Sequence, residues 1–210
     1  MRRLLILTGP QGSGNHLFSK IFALHENVFG WKTLLNTYWE GHHHEPFAKY
    51  WKDPTQLRTT FDWTQKDFYV TSISCPYFEN GMPRVPNYWH FIETAMDKVD
   101  YISIGIIGRD ANILERQQER VRGVHTTPMF MDRIGDFMEA GIDVNFLSQE
   151  LLYLYRNIYL EKLSTEMDFP IAHWDPEIDE ILKADANRKY IKTVDEYWLD
   201  HEVHRAMRES

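Results

Sequence analysis

The feature that most constrains this chain is its beginning. A short apolar run, Leu4–Leu7, leads into TGPQGSGNH (Thr8 to His16), and then Leu17, Ile21 and Leu24 recur at helical spacing with Phe18 and Phe22 beside them. A buried strand that breaks at a glycine-rich turn directly into a helix points successive backbone N–H groups at one place, at the positive end of the helix dipole. Gly9, Gly12 and Gly14 allow the backbone angles and close approach this needs. Against the nucleotide-binding pattern G-x-x-x-x-G-K-[ST], Gly9 and Gly14 fit, Asn15 replaces the lysine and His16 replaces the hydroxyl residue that anchors Mg²⁺. The stretch Gly9, Pro10, Gln11, Gly12, Ser13, Gly14 and Asn15 is therefore expected to bind an anion through its backbone. An ordinary ATP-dependent kinase would lose its β/γ-phosphate cation and its metal anchor by these changes. A strand-to-helix turn without a ligand is the alternative.

The rest of the chain alternates. Phe68–Ile73, Tyr101–Ile107 (YISIGII) and Val144–Leu147 read as strands, with a weak last one at Phe169–Ala172. Tyr88–Val99, Arg109–Arg122 and Pro128–Ala140 read as helices. A further helix carries Leu151, Leu154, Tyr155, Ile158 and Tyr159 on one side, and a charged helical tail starts at Thr193. Asn80-Gly81 with Pro76, Pro83 and Pro86 reads as a loop. This order predicts one α/β domain over residues 1–210 with a mainly parallel sheet of about five strands. Ligands of such sheets sit outside the carboxyl ends of the strands. Gly9–His16, the loop after Ser74 and Arg109 then share one rim. Residues 26–66, aromatic and polar with little periodicity, read as an acceptor-side insertion over it.

GPQGSGNHLF resembles the 5′-phosphosulfate loop of sulfotransferases, G-x-x-[RK]-S-G-T-[ST]-x-[LF]. Gly9, Ser13, Gly14, Leu17 and Phe18 match, Gly12 stands where the family carries Arg or Lys, and Asn15 where it carries Thr. IGIIGRDANILERQQ is similar to the family's strand running into R-D-P-x-x-x-x-x-S: Arg109 and Asp110 match, Ala111 replaces Pro and Gln117 replaces Ser. FLSQELL (Phe146–Leu152) looks like the family's strand and Y-E-x-L segment. The resemblance implies a three-layer P-loop fold and the donor 3′-phosphoadenosine 5′-phosphosulfate. It also implies a 3′-phosphate contact from Arg109 and the Gln117 position, and a small-molecule or carbohydrate hydroxyl as acceptor.

Gly12 leaves the loop without a cation, so one must come from its surroundings, with Arg109 and His16 nearest by topology. Gly12, taken as exposed at the rim, is expected to tolerate arginine. Arg116, Arg120 and Arg122 read as a solvated helix face balanced by Asp110, Glu115 and Glu119. In GHHHEP (Gly41–Pro46), three consecutive histidines cannot all face one ion from a regular element, so no metal is expected and a surface loop is favoured. One of His42, His43 or His44, or Glu45, can still act as general base on an acceptor hydroxyl. The catalytic candidates are His16, His43 and Glu45.

Net charge is −8, which disfavours nucleic acid and anionic lipid as partners. Cys75 is the only cysteine and reads as a buried small side chain. No apolar run reaches signal-peptide or membrane-span length, so a cytoplasmic protein is expected. Two rival readings stand beside the sulfotransferase-like one. A nucleoside- or nucleotide-kinase-like phosphotransferase would need Mg²⁺ and a lysine from elsewhere, such as Lys20, which sits deep in the first helix. A catalytically inert nucleotide-binding module would need neither.

Overall fold

The computed structural model describes residues 1–36, 41–79, 81–123 and 125–184, without the side chains of 120–122. The tail from Thr193, Asn80 and the side chains of Arg120 and Arg122 thus lie outside the described residues. In chain order the elements are β1 (Arg3–Gly9), α1 (Asn15–Phe22), β2 (Val28–Phe29), α2 (Ala48–Lys52), β3 (Phe68–Ser74), β4 (Tyr77–Glu79), β5 (Met82–Arg84), α3 (Tyr88–Met96), β6 (Tyr101–Gly108), α4 (Ala111–Arg122), α5 (Thr127–Glu139), β7 (Asp143–Ser148), α6 (Gln149–Glu166) and α7 (Glu177–Ala184).

Five strands pair in the order β2-β3-β1-β6-β7, all parallel. Side chains alternate across a strand, so a parallel sheet buried on both faces needs apolar residues at every position. In β1, Leu4 and Ile6 face a core shared with α2, α3 and α5, where Trp51 stacks on Phe91 at 3.8 Å. Leu5 and Leu7 face the opposite core, shared with α1, α6 and α7. This is a three-layer α/β fold of P-loop type. β1 lies at the centre, and the chain winds from it first to one side (β2, β3) and then to the other (β6, β7). The loop after β1 therefore opens at the switch point, where such sheets hold ligands.

Three sequence expectations are corrected. The fifth strand is β2, not Phe169–Ala172. Those residues instead pack Phe169 against Phe22 and Phe68, and Ser164 serves their backbone: its carbonyl accepts from Phe169 N–H and its hydroxyl from Ile171 N–H. The loop around Gly81 is a hairpin in which β4 and β5 pair antiparallel, consistent with an Asn-Gly turn signal. The apolar stripe of α6 faces outward: Leu154 and Ile158 are 71% and 72% exposed, while Leu152, Leu160 and Leu163 enter the core. Arg156 has non-helical backbone angles (φ 42°), so the helical phase does not carry through from one half to the other.

Candidate anion loop and adjoining cleft

Thr8 fixes the end of β1, donating to the Ile73 carbonyl at 2.8 Å and meeting the Tyr88 hydroxyl at 2.7 Å. The chain then turns, with Ser13 N–H donating to the Pro10 carbonyl, and enters α1 through Gly14. Gly12 (φ 89°) and Gly14 (φ 112°) are both left-handed, a region that disfavours side chains. No side chain caps α1 and no acidic residue lies in its first turn, so the positive end of the helix has no built-in counter-charge.

Neighbouring elements hold the loop in place. Asn15 donates through Nδ2 to Ser74 Oγ at 2.9 Å, tying α1 to the end of β3. Gln11 donates to the Pro76 carbonyl, and Gln118 of α4 donates to the Gln11 carbonyl, both at 2.9 Å. Arg109, just past β6, donates through Nη1 to the Gly12 carbonyl at 3.0 Å and to Gln117 Oε1 at 2.7 Å. Arg109 and Gln117, named together for the 3′-phosphate, thus meet beside the loop. Gly12, however, is not open at the rim. A Cβ there would lie 3.3 Å from Gln117 and 3.4 Å from Leu114, at a backbone angle that resists side chains, so the expected tolerance of arginine is withdrawn.

Beside the loop lies a cleft of about 640 Å³, lined among others by Gln11, His16, His42, Lys49, Trp51, Lys52, Ser74 and Tyr77. Its wall comes from the loop, the end of β3, the β4–β5 hairpin and the stretch 26–66. His16 and His42 pack edge-on against Trp31, at 4.9 and 5.5 Å between ring centroids. Burial, with a smaller effect from neighbouring His42, holds the His16 imidazole down at about 4, so at neutral pH it is uncharged. His16 therefore brings no positive charge to the ligand-free loop. Burial also lowers His42, whose Nε2 lies 2.9 Å from the Ser72 carbonyl. A carbonyl only accepts, so this nitrogen carries the proton and Nδ1 is left as the acceptor of the neutral ring.

His43 also lines the cleft, but it is exposed and its ring packs on His44 at 4.0 Å. Glu45 sits below the surface, 3% exposed, and is not among the lining residues. Its carboxyl accepts from Thr71 Oγ1 and Phe47 N–H, both at 2.8 Å, and Thr71 in turn accepts from Trp51 Nε1 at 3.0 Å. Burial pushes Glu45 up to about 8 against the pull of these donors. It anchors the histidine turn to β3. The side chains that bring positive charge to the cleft are Lys49, 4.7 Å from the Tyr50 ring, and Lys52, paired with Glu79 at 2.8 Å. Sequence reading missed them, although both lie in the stretch assigned to the acceptor side.

Lys20 is buried in α1, where Glu177 of α7 is its opposing charge, and Arg116 is exposed. The Cys75 thiol is buried and pushed up to about 11 by that burial. Among the described residues no three His, Cys, Asp or Glu side chains form a group able to hold a metal ion, and no helix is long and apolar enough to cross a membrane. Gln149, the first residue of α6, was also missed. It follows β7 directly and lies against Gly14, where the strand-end rule alone would have drawn notice.

No protein-family model matches this chain, and no curated protein matches it in sequence. Among solved structures, it is similar to an unliganded sugar kinase from Janibacter sp. HTCC2649, at 10% identity over 82% of this chain and 98% of that one, with a TM-score of 0.42. A likeness that distant carries neither reaction nor substrate across.

Proposed function

We propose that this chain is a sulfotransferase-like transferase that takes 3′-phosphoadenosine 5′-phosphosulfate as donor and modifies a hydroxyl of a small-molecule or carbohydrate acceptor. The observation that carries this reading is Arg109 bridging the Gly12 carbonyl and Gln117. A permanently charged, fork-shaped donor thereby stands against a glycine cradle that has neither a lysine nor a metal-anchoring hydroxyl of its own. That donor set suits a bisphosphorylated nucleotide: the N–H groups of Gly12, Gly14 and Asn15 would hold the 5′ end, Ser13 N–H being held by the Pro10 carbonyl, and Arg109 with Gln117 would hold the 3′-phosphate. When bound, the donor supplies an activated sulfuryl group.

The chain's own residues do the rest. The acceptor would lie in the cleft between the loop and α2, against Tyr77 and the edge of Trp51, with Lys49 supplying positive charge that the loop lacks and Lys52 held by Glu79 beside it. His42, its Nε2 held by the Ser72 carbonyl, would be the residue to take the acceptor's hydroxyl proton through Nδ1. Neutral His16 would orient groups by hydrogen bonding.

One observation favours a second reading. Two lysines on an element laid over a phosphate-type loop suit a kinase-like phosphotransferase as well, with Lys49 or Lys52 replacing the loop lysine. A transfer assay with labelled sulfuryl and phosphoryl donors, over a panel of hydroxyl acceptors and with or without EDTA, separates the two. Sulfuryl transfer that survives EDTA supports the first reading. Phosphoryl transfer that EDTA abolishes replaces it with the second.

A further inference from the structure

We propose that the Gln149 side chain is a direct hydrogen-bonding ligand of the oxyanion held by the glycine loop. The inference rests on the reading of that loop as an anion site and adds to it a residue from the start of α6, in the same layer as α1. Gln149 begins α6 immediately after β7, and the Ser148 side chain already caps that helix by accepting from Leu151 N–H. Helix capping therefore does not account for the amide.

The amide is 1% exposed, and neither its Nε2 nor its Oε1 has a hydrogen-bond partner. Gln11 on the loop leaves only its Oε1 open, and two other amides beside it are bonded at both ends. Gln118 donates to the Gln11 carbonyl and accepts from Thr126 N–H, and Asn15 donates to Ser74 and accepts from Ser13. A buried amide left open at both ends is destabilising, and folds remove such groups unless something else supplies the partner. The position says what that partner is. A Cβ on Gly14 would lie 3.3 Å from Gln149 Nε2 and 3.4 Å from its Cδ, so the amide lies flush against the residue through which the loop enters α1. That is the uncapped positive end of an eight-residue helix. An oxyanion drawn there by the backbone N–H groups takes a further N–H donor from Nε2. The chemical class is a tetrahedral oxyanion, phosphate or sulfate, and the two sources are the terminal group of a nucleotide and a free inorganic ion.

The test is isothermal calorimetry with inorganic pyrophosphate and with 3′-phosphoadenosine 5′-phosphate on the full chain and on Gln149→Met and Gln149→Glu, with ligand-free melting curves for each. Methionine keeps the length and removes the amide, so its ligand-free melting point should equal or exceed that of the parent while affinity falls about tenfold or more. Glutamate is isosteric and sets a carboxyl against the cradle, so it should abolish binding and provides a second answer if the methionine variant does not fold. Loss with the nucleotide alone assigns Gln149 to its terminal phosphate, and loss with both ligands to any oxyanion. Parent-like affinity in a folded Gln149→Met or Gln149→Glu overturns the inference while leaving the loop an anion site. A parent chain that binds neither ligand overturns the anion loop itself and this inference with it.

Discussion

Arg109 donates through Nη1 to the carbonyl of Gly12, 97 residues earlier in the chain, at 3.0 Å. The contact ties the end of β6 to the glycine loop and spends a charged donor on a neutral acceptor. Arg109→Ala should lower stability by roughly 1–3 kcal/mol, the range for hydrogen bonds to charged groups and for an acceptor left open. It should also weaken 3′-phosphoadenosine 5′-phosphate more than adenosine 5′-phosphate. Lysine should restore little, because it lacks the planar fork that reaches Gly12 and Gln117 together. Calorimetry with both nucleotides checks this, and equal losses for the two would remove the 3′-phosphate role.

Gly12→Ala should destabilise the chain beyond the backbone penalty alone. The left-handed conformation costs an ordinary residue about 1–2 kcal/mol, and the new Cβ meets Gln117 at 3.3 Å as well. Gly141→Ala is the control, since Gly141 is also left-handed (φ 68°) with nothing within 4 Å of an added Cβ. Melting curves should rank Gly12→Ala below Gly141→Ala, and the reverse order would mean that the loop is open at Gly12.

Two buried groups set opposite limbs of the stability–pH curve. Glu45, raised to about 8, keeps in the folded state a proton that the unfolded chain sheds near 4.5, so its contribution falls as pH rises between those values. His16, lowered to about 4, stays neutral in the folded state while the unfolded chain gains a proton below 6.5, so its contribution falls as pH drops from there to 4. At roughly 1.4 kcal/mol for each pH unit between folded and unfolded values, both limbs are large enough to see. Glu45→Gln should flatten the alkaline limb and His16→Asn the acid limb in melting curves from pH 4 to 9. A variant with a parent-shaped curve would show that its group titrates as in the unfolded chain.

His42→Ala should lower turnover by about 10²–10⁴-fold with donor affinity unchanged, as expected of a general base. His43→Ala, at an exposed ring packed at a tilt against His44, should change turnover little. The opposite ranking in steady-state kinetics would move the base to His43.

The strand, glycine loop and helix of residues 3–22 were legible because they are local. The apolar run, the turn glycines and the 3.6 period lie within one stretch of sequence. Arg109 was legible by a different route, since topology alone brings the ends of β1 and β6 to one rim. What was not legible depended on partners distant in sequence. β2 has only two residues, and its pairing with β3 at Val28–Phe68 is invisible to periodicity. The α6 stripe looked like a core face until the break at Arg156 changed its phase. Glu45 reads as a base from its type and neighbours, and only its bonds to Thr71 and Phe47 show a group built into the interior. Lys49 and Lys52 have no motif, and their place at the cleft comes from the way residues 42–58 fold over β3.

The central claim is that the loop of Gly9–Asn15 binds a bisphosphorylated nucleotide through backbone N–H groups and Arg109, without a metal. Calorimetric titration of 3′-phosphoadenosine 5′-phosphate and of ATP, each with Mg²⁺ and with EDTA, tests it most directly. The bisphosphate should bind more tightly than ATP and equally well in both buffers, and Arg109→Ala should remove the preference. Tighter binding of ATP that disappears in EDTA would contradict it.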